Sequence, residues 1–94
     1  MQKRRIANTQ IEVTELGFGG APLGAVGSYI DESDAEMILT HALRSGINYF
    51  DTAPLYGHGL SEKRLGRILA NIDRGDFVLS TKVGRRLVDP SQGV

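Results

Sequence analysis

Three strand-like runs of apolar residues recur along this chain at a nearly constant interval, and that interval constrains the fold more than any other feature. The runs end near residues 20, 51 and 82, which is the spacing of about 31 residues typical of a βα repeat. Between them lie two stretches with the periodicity of amphipathic helices. The order β-α-β-α-β, with strands that are apolar on both faces, predicts an α/β fold with a parallel sheet covered by helices.

The first helical stretch begins at a cluster of acidic residues and ends at a glycine. Asp31 is a candidate N-cap, and Gly46 is placed to stop the helix. Its apolar stripe follows the i, i+3, i+4, i+7, i+8 pattern and consists of Ala35, Ile38, Leu39, Ala42 and Leu43. We therefore expect one face of this helix to pack on the sheet.

The second helical stretch follows the middle strand. We expect Ser61 to cap this helix, and close packing at Gly66, because a glycine within a helix is unfavourable by roughly 1 kcal/mol relative to alanine. The side chains expected to face the core are Leu65, Ile68, Leu69 and Ile72. Those expected to point to solvent are Lys63, Arg64 and Arg67.

The residues before the first helix contain a short hairpin and then a glycine-rich segment. Residues 8–10 form a plausible turn between two short strands. Residues 17–24 read GFGGAPLG, a composition that lets the backbone approach a neighbour closely. Their spacing is not that of the dinucleotide fingerprint G-x-G-x-x-G, and no helix follows at once. We therefore interpret this segment as a strand end lined by small residues at a ligand pocket.

Composition excludes several classes of function. The 94 residues carry 11 basic and 11 acidic side chains, so no nucleic-acid partner or membrane surface is indicated. There is no cysteine, and no cluster of side chains has the spacing of a metal site. With no apolar run of signal-peptide or membrane-spanning length, we expect a cytoplasmic protein.

Length sets a further expectation about the domain. Three strands and two helices cannot close a barrel, and a complete (β/α)8 barrel has about 250 residues. We therefore expect residues 1–94 to be the N-terminal segment of a single barrel domain, truncated or interrupted in the loop after the third strand.

Three polar residues fall where a parallel sheet places its active site, at the carboxyl ends of the strands. Asp51 ends the second strand, Tyr56 lies in the loop after it, and Lys82 lies near the end of the third strand. Lys82 and Asp51 can pair, and an ammonium beside the phenol would stabilise the phenolate for proton transfer. The alternatives are an Asp51 that only caps its own turn, or a structural ion pair beside an unrelated tyrosine.

The motifs of this chain resemble those of the aldo-keto reductase superfamily. The resemblance rests on residues 17–24, on 46–57 (GINYFDTAPLYG), on 61–62 with 65–66 and on 80–84 (STKVG). Within the superfamily, the chain is most similar to sugar dehydrogenases acting on L-fucose- or L-galactose-type aldoses and to pyridoxal dehydrogenases.

The resemblance implies a (β/α)8 TIM barrel, of which this chain holds the hairpin and the first three strands, and an oxidoreductase that uses NADP or NAD. Asp51, Tyr56 and Lys82 match three members of the family's catalytic tetrad, whose histidine belongs to a strand beyond residue 94. Gly20 and Ala21, with Asp51, match contacts to the cofactor. The implied substrate is a small carbonyl compound or sugar. The alternative is a non-catalytic barrel, such as a regulatory subunit; the oligomeric state stays open.

Overall fold

The computed structural model describes residues 1–84 and 87–89, which form a two-stranded hairpin followed by a three-stranded parallel sheet with helices between its strands. The hairpin consists of β1 (Lys3–Arg5) and β2 (Glu12–Thr14). The sheet consists of β3 (Phe18–Gly19), β4 (Tyr49–Asp51) and β5 (Val78–Ser80). The helices are α1 (Glu32–Arg44) and α2 (Leu60–Leu69), with 3-10 turns at Ala21–Gly24 and Arg74–Asp76.

The hairpin lies at the amino end of the sheet. Thr14 and Asn48 hold it there, because the Thr14 amide donates to Asn48 Oδ1 at 2.8 Å and the Asn48 amide donates to Thr14 Oγ1 at 3.2 Å. The Asn48 side chain also donates to the Glu12 carbonyl at 3.0 Å. These bonds fix the hairpin at the end of β4 opposite to Asp51.

The parallel sheet has the order β3-β4-β5, so that β4 is the central strand. Gly19, Asp51 and Ser80 are neighbours across the three strands. Because side chains alternate between the faces of a strand, this row shares one face, which we call the inner face. The row Phe18, Phe50 and Leu79 lies on the opposite, outer face, where the core packs over Phe18 and Phe50.

The core lies between that helix-facing side of the sheet and the two helices. Its buried side chains are Leu23, Ala35, Leu39, Ala42, Phe50, Leu65, Leu69 and Phe77. Asp31 caps α1 as predicted, since its carboxylate accepts from the Asp34 amide at 2.9 Å. Beyond α1, Gly46 has a φ of +93°, a left-handed conformation that suits the predicted stop.

Two expectations for the polar residues of α2 are wrong. The helix begins at Leu60 with Gly59 as its N-cap, so Ser61 is not the cap but a fully buried residue of the first turn. Arg64 does not point to solvent: it is only 2% exposed. Ser61, Arg64 and Leu65 face the core together because positions i, i+3 and i+4 share one side of a helix.

Gly66 was expected to pack closely, and it does not. It is exposed, and a Cβ built on it would meet no atom within 4 Å. The strands are also shorter than predicted, since β5 ends at Ser80 and leaves Lys82 in the following loop. The predicted order of elements and the parallel sheet are confirmed.

Candidate active site

The carboxyl ends of the three parallel strands bring together the side chains that the sequence singles out. Asp51 is the last residue of β4, and Lys82 lies two residues beyond β5. Lys82 Nζ donates to Asp51 Oδ2 at 2.8 Å and to the Thr52 carbonyl at 3.1 Å. The predicted contact between lysine and aspartate is therefore present, and it arises from the side-by-side register of β4 and β5.

The two charges reinforce each other's ionised state. Hydrogen bonds from Lys82, and secondarily from Ser80, lower the pKa of Asp51. The bond to Asp51 is the main cause of the raised pKa of Lys82. The Asp51 contribution to stability is thus present above its usual pKa of 3.8 and lost as the pH falls through the lowered value. That of Lys82 is present below its usual 10.5 and lost as the pH rises through the raised value.

The ion pair is open to solvent. The side chains of Lys82 and Asp51 are 50% and 37% exposed. Water screens such a pair, so its contribution to stability is small. The Lys82 ammonium is therefore accessible from solvent.

Tyr56 lies beside this ammonium on the loop between β4 and α2. Lys82 Nζ is 5.1 Å from the centroid of the tyrosine ring, within the range of a cation–π contact. The backbone of this loop is held by Gly24, where an added Cβ would clash with the carbonyl group of Tyr56. Gly57 has a φ of +70° and lies against Gly24 from the other side. Two glycines thus let the loop after β3 support the loop that carries the phenol.

A cleft of about 260 Å³ opens between the Tyr56 loop and the segment after β5. The residues that line it are Ala53, Pro54, Leu55, Tyr56, Lys82 and Val83. Its walls are mostly apolar, with one phenol and one ammonium group. Such a combination binds a small organic molecule and orients one polar atom.

Comparison with known proteins agrees with this geometry. Residues 15–93 match the model of the aldo/keto reductase family. The chain belongs to this family. It is 44% identical to L-galactose dehydrogenase of Arabidopsis thaliana over 90% of its length and 41% identical to pyridoxal 4-dehydrogenase of Microbacterium luteolum over 98%. The chain spans 27% of the length of each of these relatives.

A solved aldo-keto reductase has the same fold. The holo form of an enzyme from Bacillus halodurans superposes with a TM-score of 0.84 at 42% identity, covering 99% of this chain and 29% of the other. The predicted N-terminal part of a (β/α)8 barrel, and the resemblance to the family, are confirmed.

Gly20 and Ala21 of this aldo-keto reductase chain follow β3 at the same end of the sheet as Asp51. The Gly20 amide donates to the Asp51 carbonyl at 2.7 Å, and the Gly20 carbonyl accepts from Ser61 Oγ at 2.7 Å. An added Cβ would lie 2.7 Å from that Asp51 oxygen, so only glycine fits there. Ala21 is half-buried and opens the 3-10 turn. Their contact with a cofactor stays a prediction.

Sequence reasoning missed two residues of this site. Ser80 Oγ donates to Asp51 Oδ1 at 2.6 Å, and the Tyr49 hydroxyl lies 2.9 Å from Ser80 Oγ. Alternation along the strands would have found them, since Tyr49 is two residues before Asp51 and Ser80 is two before Lys82.

In the part of the chain that the structure describes, no helix is long and apolar enough to cross a membrane.

Proposed function

We propose that residues 1–94 form the N-terminal part of a single (β/α)8 barrel enzyme that transfers a hydride between NADP or NAD and an aldehyde, ketone or sugar. The observation that carries this proposal is the bond between Lys82 and Asp51 at the carboxyl end of the sheet, with the ring of Tyr56 beside it. Ionised groups at that position suit proton transfer to a small substrate in the neighbouring cleft. Below, "the complete enzyme" means this proposed barrel.

The described residues fit the reacting end of a nicotinamide cofactor. Such a cofactor supplies or accepts a hydride when it is bound. The protein must then supply a group that exchanges a proton with the substrate oxygen, and this group must be accessible from the cleft. Tyr56 and the half-exposed Lys82 provide that combination, and Asp51, Gly20 and Ala21 would border the cofactor.

Each of the three side chains has a distinct part in the proposed chemistry. In the reducing direction, the Tyr56 hydroxyl gives its proton to the carbonyl oxygen of the substrate; in the oxidising direction, the phenolate takes the proton back. The Lys82 ammonium stabilises the phenolate through its charge. Asp51 holds that ammonium in place through its 2.8 Å bond.

The substrate class follows from the relatives and from the cleft. One relative is named for L-galactose and another for pyridoxal, the former a sugar and the latter an aromatic aldehyde. Both are small molecules with a single reacting oxygen, in keeping with a cleft of about 260 Å³. We propose a small aldose or aldehyde as substrate; a cytoplasmic location stays a prediction.

Removal of one hydroxyl group tests the proposal. In the complete enzyme, Tyr56→Phe should lower turnover of an aldose or aldehyde by roughly 10²–10⁴-fold, because general acid–base catalysis contributes that much. Cofactor affinity, measured by fluorescence titration, should stay within about threefold, because the variant keeps the ring that borders the cleft.

Tyr29→Phe is the matched control. Tyr29 is 71% exposed, and its ring lies 5.7 Å from the Arg64 guanidinium, away from the cleft. Loss of its hydroxyl should leave turnover unchanged. Wild-type turnover in the Tyr56 variant would remove this residue from the mechanism. If the complete protein turns over no aldose or aldehyde with either NAD or NADP, the alternative of a non-catalytic regulatory subunit is favoured.

A further inference from the structure

The Asp51 carboxylate is held by two different donors, one on each oxygen. Lys82 bonds Oδ2, while the Ser80 hydroxyl donates to Oδ1 at 2.6 Å. A length of 2.6 Å is typical of a hydrogen bond between a hydroxyl and an ionised carboxylate. Of the two donors, only Ser80 belongs to a strand, directly beside Asp51 in the sheet.

The hydrogen bond between Tyr49 and Ser80 has a fixed direction. The Tyr49 hydroxyl lies 2.9 Å from Ser80 Oγ, and on distance alone either oxygen could donate. Ser80 has a single hydroxyl hydrogen, which it gives to Asp51, so Tyr49 is the donor. The three side chains form a directed chain of hydrogen bonds, from Tyr49 to Ser80 to Asp51.

The sheet itself holds this chain in place. Tyr49, Asp51 and Ser80 all lie on the inner face of β4 and β5. A Cβ added to Gly17 would approach Tyr49 Cδ2 at 3.1 Å, so the missing side chain on the neighbouring segment makes room for the ring. The position of the Tyr49 ring is thus restricted by its packing against Gly17.

The Lys82 ammonium, in contrast, is held by one bond to a side chain and one bond to the backbone. It lies beyond the end of β5 and is half-exposed, with Asp51 and the Thr52 carbonyl as its hydrogen-bond acceptors. A turn of the carboxylate would weaken its bond to Lys82, and the bond from Ser80 Oγ to the other oxygen restrains such a turn.

We propose that Ser80, supported by Tyr49, is a positioning residue that fixes the Asp51 carboxylate and, through it, the Lys82 ammonium beside Tyr56. The proposal rests on the proposed function for its catalytic consequence. The hydrogen bonds themselves do not depend on that function, so they can be tested separately.

The first measurement needs no turnover. In the complete enzyme with ¹³C-labelled aspartate, the Asp51 carboxyl signal, assigned with Asp51→Asn, is titrated with pH. In Ser80→Ala the midpoint should move to higher pH, because a hydrogen bond to the ionised form lowers a carboxyl pKa. Tyr49→Phe should move it in the same direction by less, and Ser80→Thr, which keeps a hydroxyl, should restore it.

The second measurement is kinetic. Ser80→Ala should lower kcat by about tenfold, with KM within about twofold, because a small displacement of a catalytic group affects the transition state more than binding. Thr81→Ala is the matched control: its hydroxyl bonds Glu62 Oε2 at 2.8 Å and does not reach Asp51.

The outcomes separate the two proposals. An unmoved Asp51 titration in Ser80→Ala, or an equal shift in Thr81→Ala, overturns the role of Ser80. A shifted Asp51 titration in Ser80→Ala with an unchanged kcat, in an enzyme whose wild type is active, also overturns the role of Ser80. If the wild-type protein transfers no hydride, the proposed function fails instead, and the titration still decides whether Ser80 governs Asp51.

Discussion

Arg64 shows how a single residue can depart from the pattern that surrounds it. Its side chain is 2% exposed, with Nε donating to Glu32 Oε1 at 2.6 Å and Nη1 donating to the Leu23 carbonyl at 3.0 Å. The guanidinium holds the pKa of Glu32 below its usual value. A buried charge is tolerated only when it is paired and hydrogen-bonded, and here both conditions are met. Arg64 thereby joins α2 to α1 and to the turn after β3.

This arrangement predicts different effects for two neighbouring arginines. Arg64→Met keeps the bulk but leaves the Leu23 carbonyl without its donor, so it should reduce the free energy of unfolding of the complete protein by about 1–3 kcal/mol. Arg67→Met is the matched control, because Arg67 bonds the other oxygen of Glu32 at 2.6 Å while 52% exposed. Its effect should stay below about 1 kcal/mol. Equal losses in urea unfolding would show that burial does not distinguish the two.

At the scale of elements, the site is made by loops that rest on one another. The turn after β3 passes so close to the loop after β4 that glycine is required at both Gly24 and Gly57. Ser61 adds a second link, since its hydroxyl donates to the Gly20 carbonyl and lies 2.7 Å from Thr52 Oγ1. The strands determine how far apart Asp51 and Lys82 lie. The contacts between the loops hold the Tyr56 loop in place at the carboxyl end of the sheet.

Two glycine-to-alanine substitutions should therefore change the stability of the complete protein in opposite directions. Gly24→Ala should destabilise the complete protein by about 1–3 kcal/mol and reduce turnover, because the methyl group would displace the Tyr56 backbone. Gly66→Ala, in the exposed middle of α2 with no atom within 4 Å, should stabilise it by about 0.5–1 kcal/mol. Thermal unfolding and steady-state kinetics measure both effects. A neutral Gly24 variant would mean that the two loops can separate without consequence.

At the scale of the whole molecule, the sheet is covered unevenly. Phe50 on the central strand is fully buried beneath the helices, whereas Leu79, its neighbour on β5, is 40% exposed. Val83 is fully exposed beside the cleft. Among the described residues, no helix covers the outer face of β5. The chain spans about a quarter of the length of its relatives, which fits the proposal that further strands and helices complete the barrel.

The isolated 94-residue chain should consequently bind no nicotinamide cofactor measurably and should melt with poor cooperativity. The physical reason is that, among the described residues, the cleft is bordered by only two segments, the Tyr56 loop and the segment after β5, and β3 and β5 are unpaired at the edges of the parallel sheet. Isothermal titration with NADP and NAD tests the first part, and calorimetry tests the second. The complete enzyme under the same conditions is the control. Micromolar affinity in the isolated chain would contradict this prediction.

The sequence by itself determined the order of the elements and the approximate positions of the three parallel strands. A repeat of about 31 residues predicts parallel neighbours, and parallel neighbours place residues at equivalent positions side by side. That rule brings the ends of β4 and β5 together: Ser80 lies directly beside Asp51, and Lys82, two residues further on, bonds Asp51 at 2.8 Å. Chain periodicity is a local property, so it can be read without knowing what packs where. The roles of Asp51, Tyr56 and Lys82 in catalysis stay predictions.

Only the tertiary structure decided which polar residues are buried and what they bond. Arg64 and Ser61 lie on the core side of α2 because Glu32, the Leu23 carbonyl and the Gly20 carbonyl satisfy them there. Those acceptors are 32 to 41 residues away in the chain, so no local pattern reveals them. Burial of a polar group is favourable only once its partner is in place, and that partner is supplied by the fold.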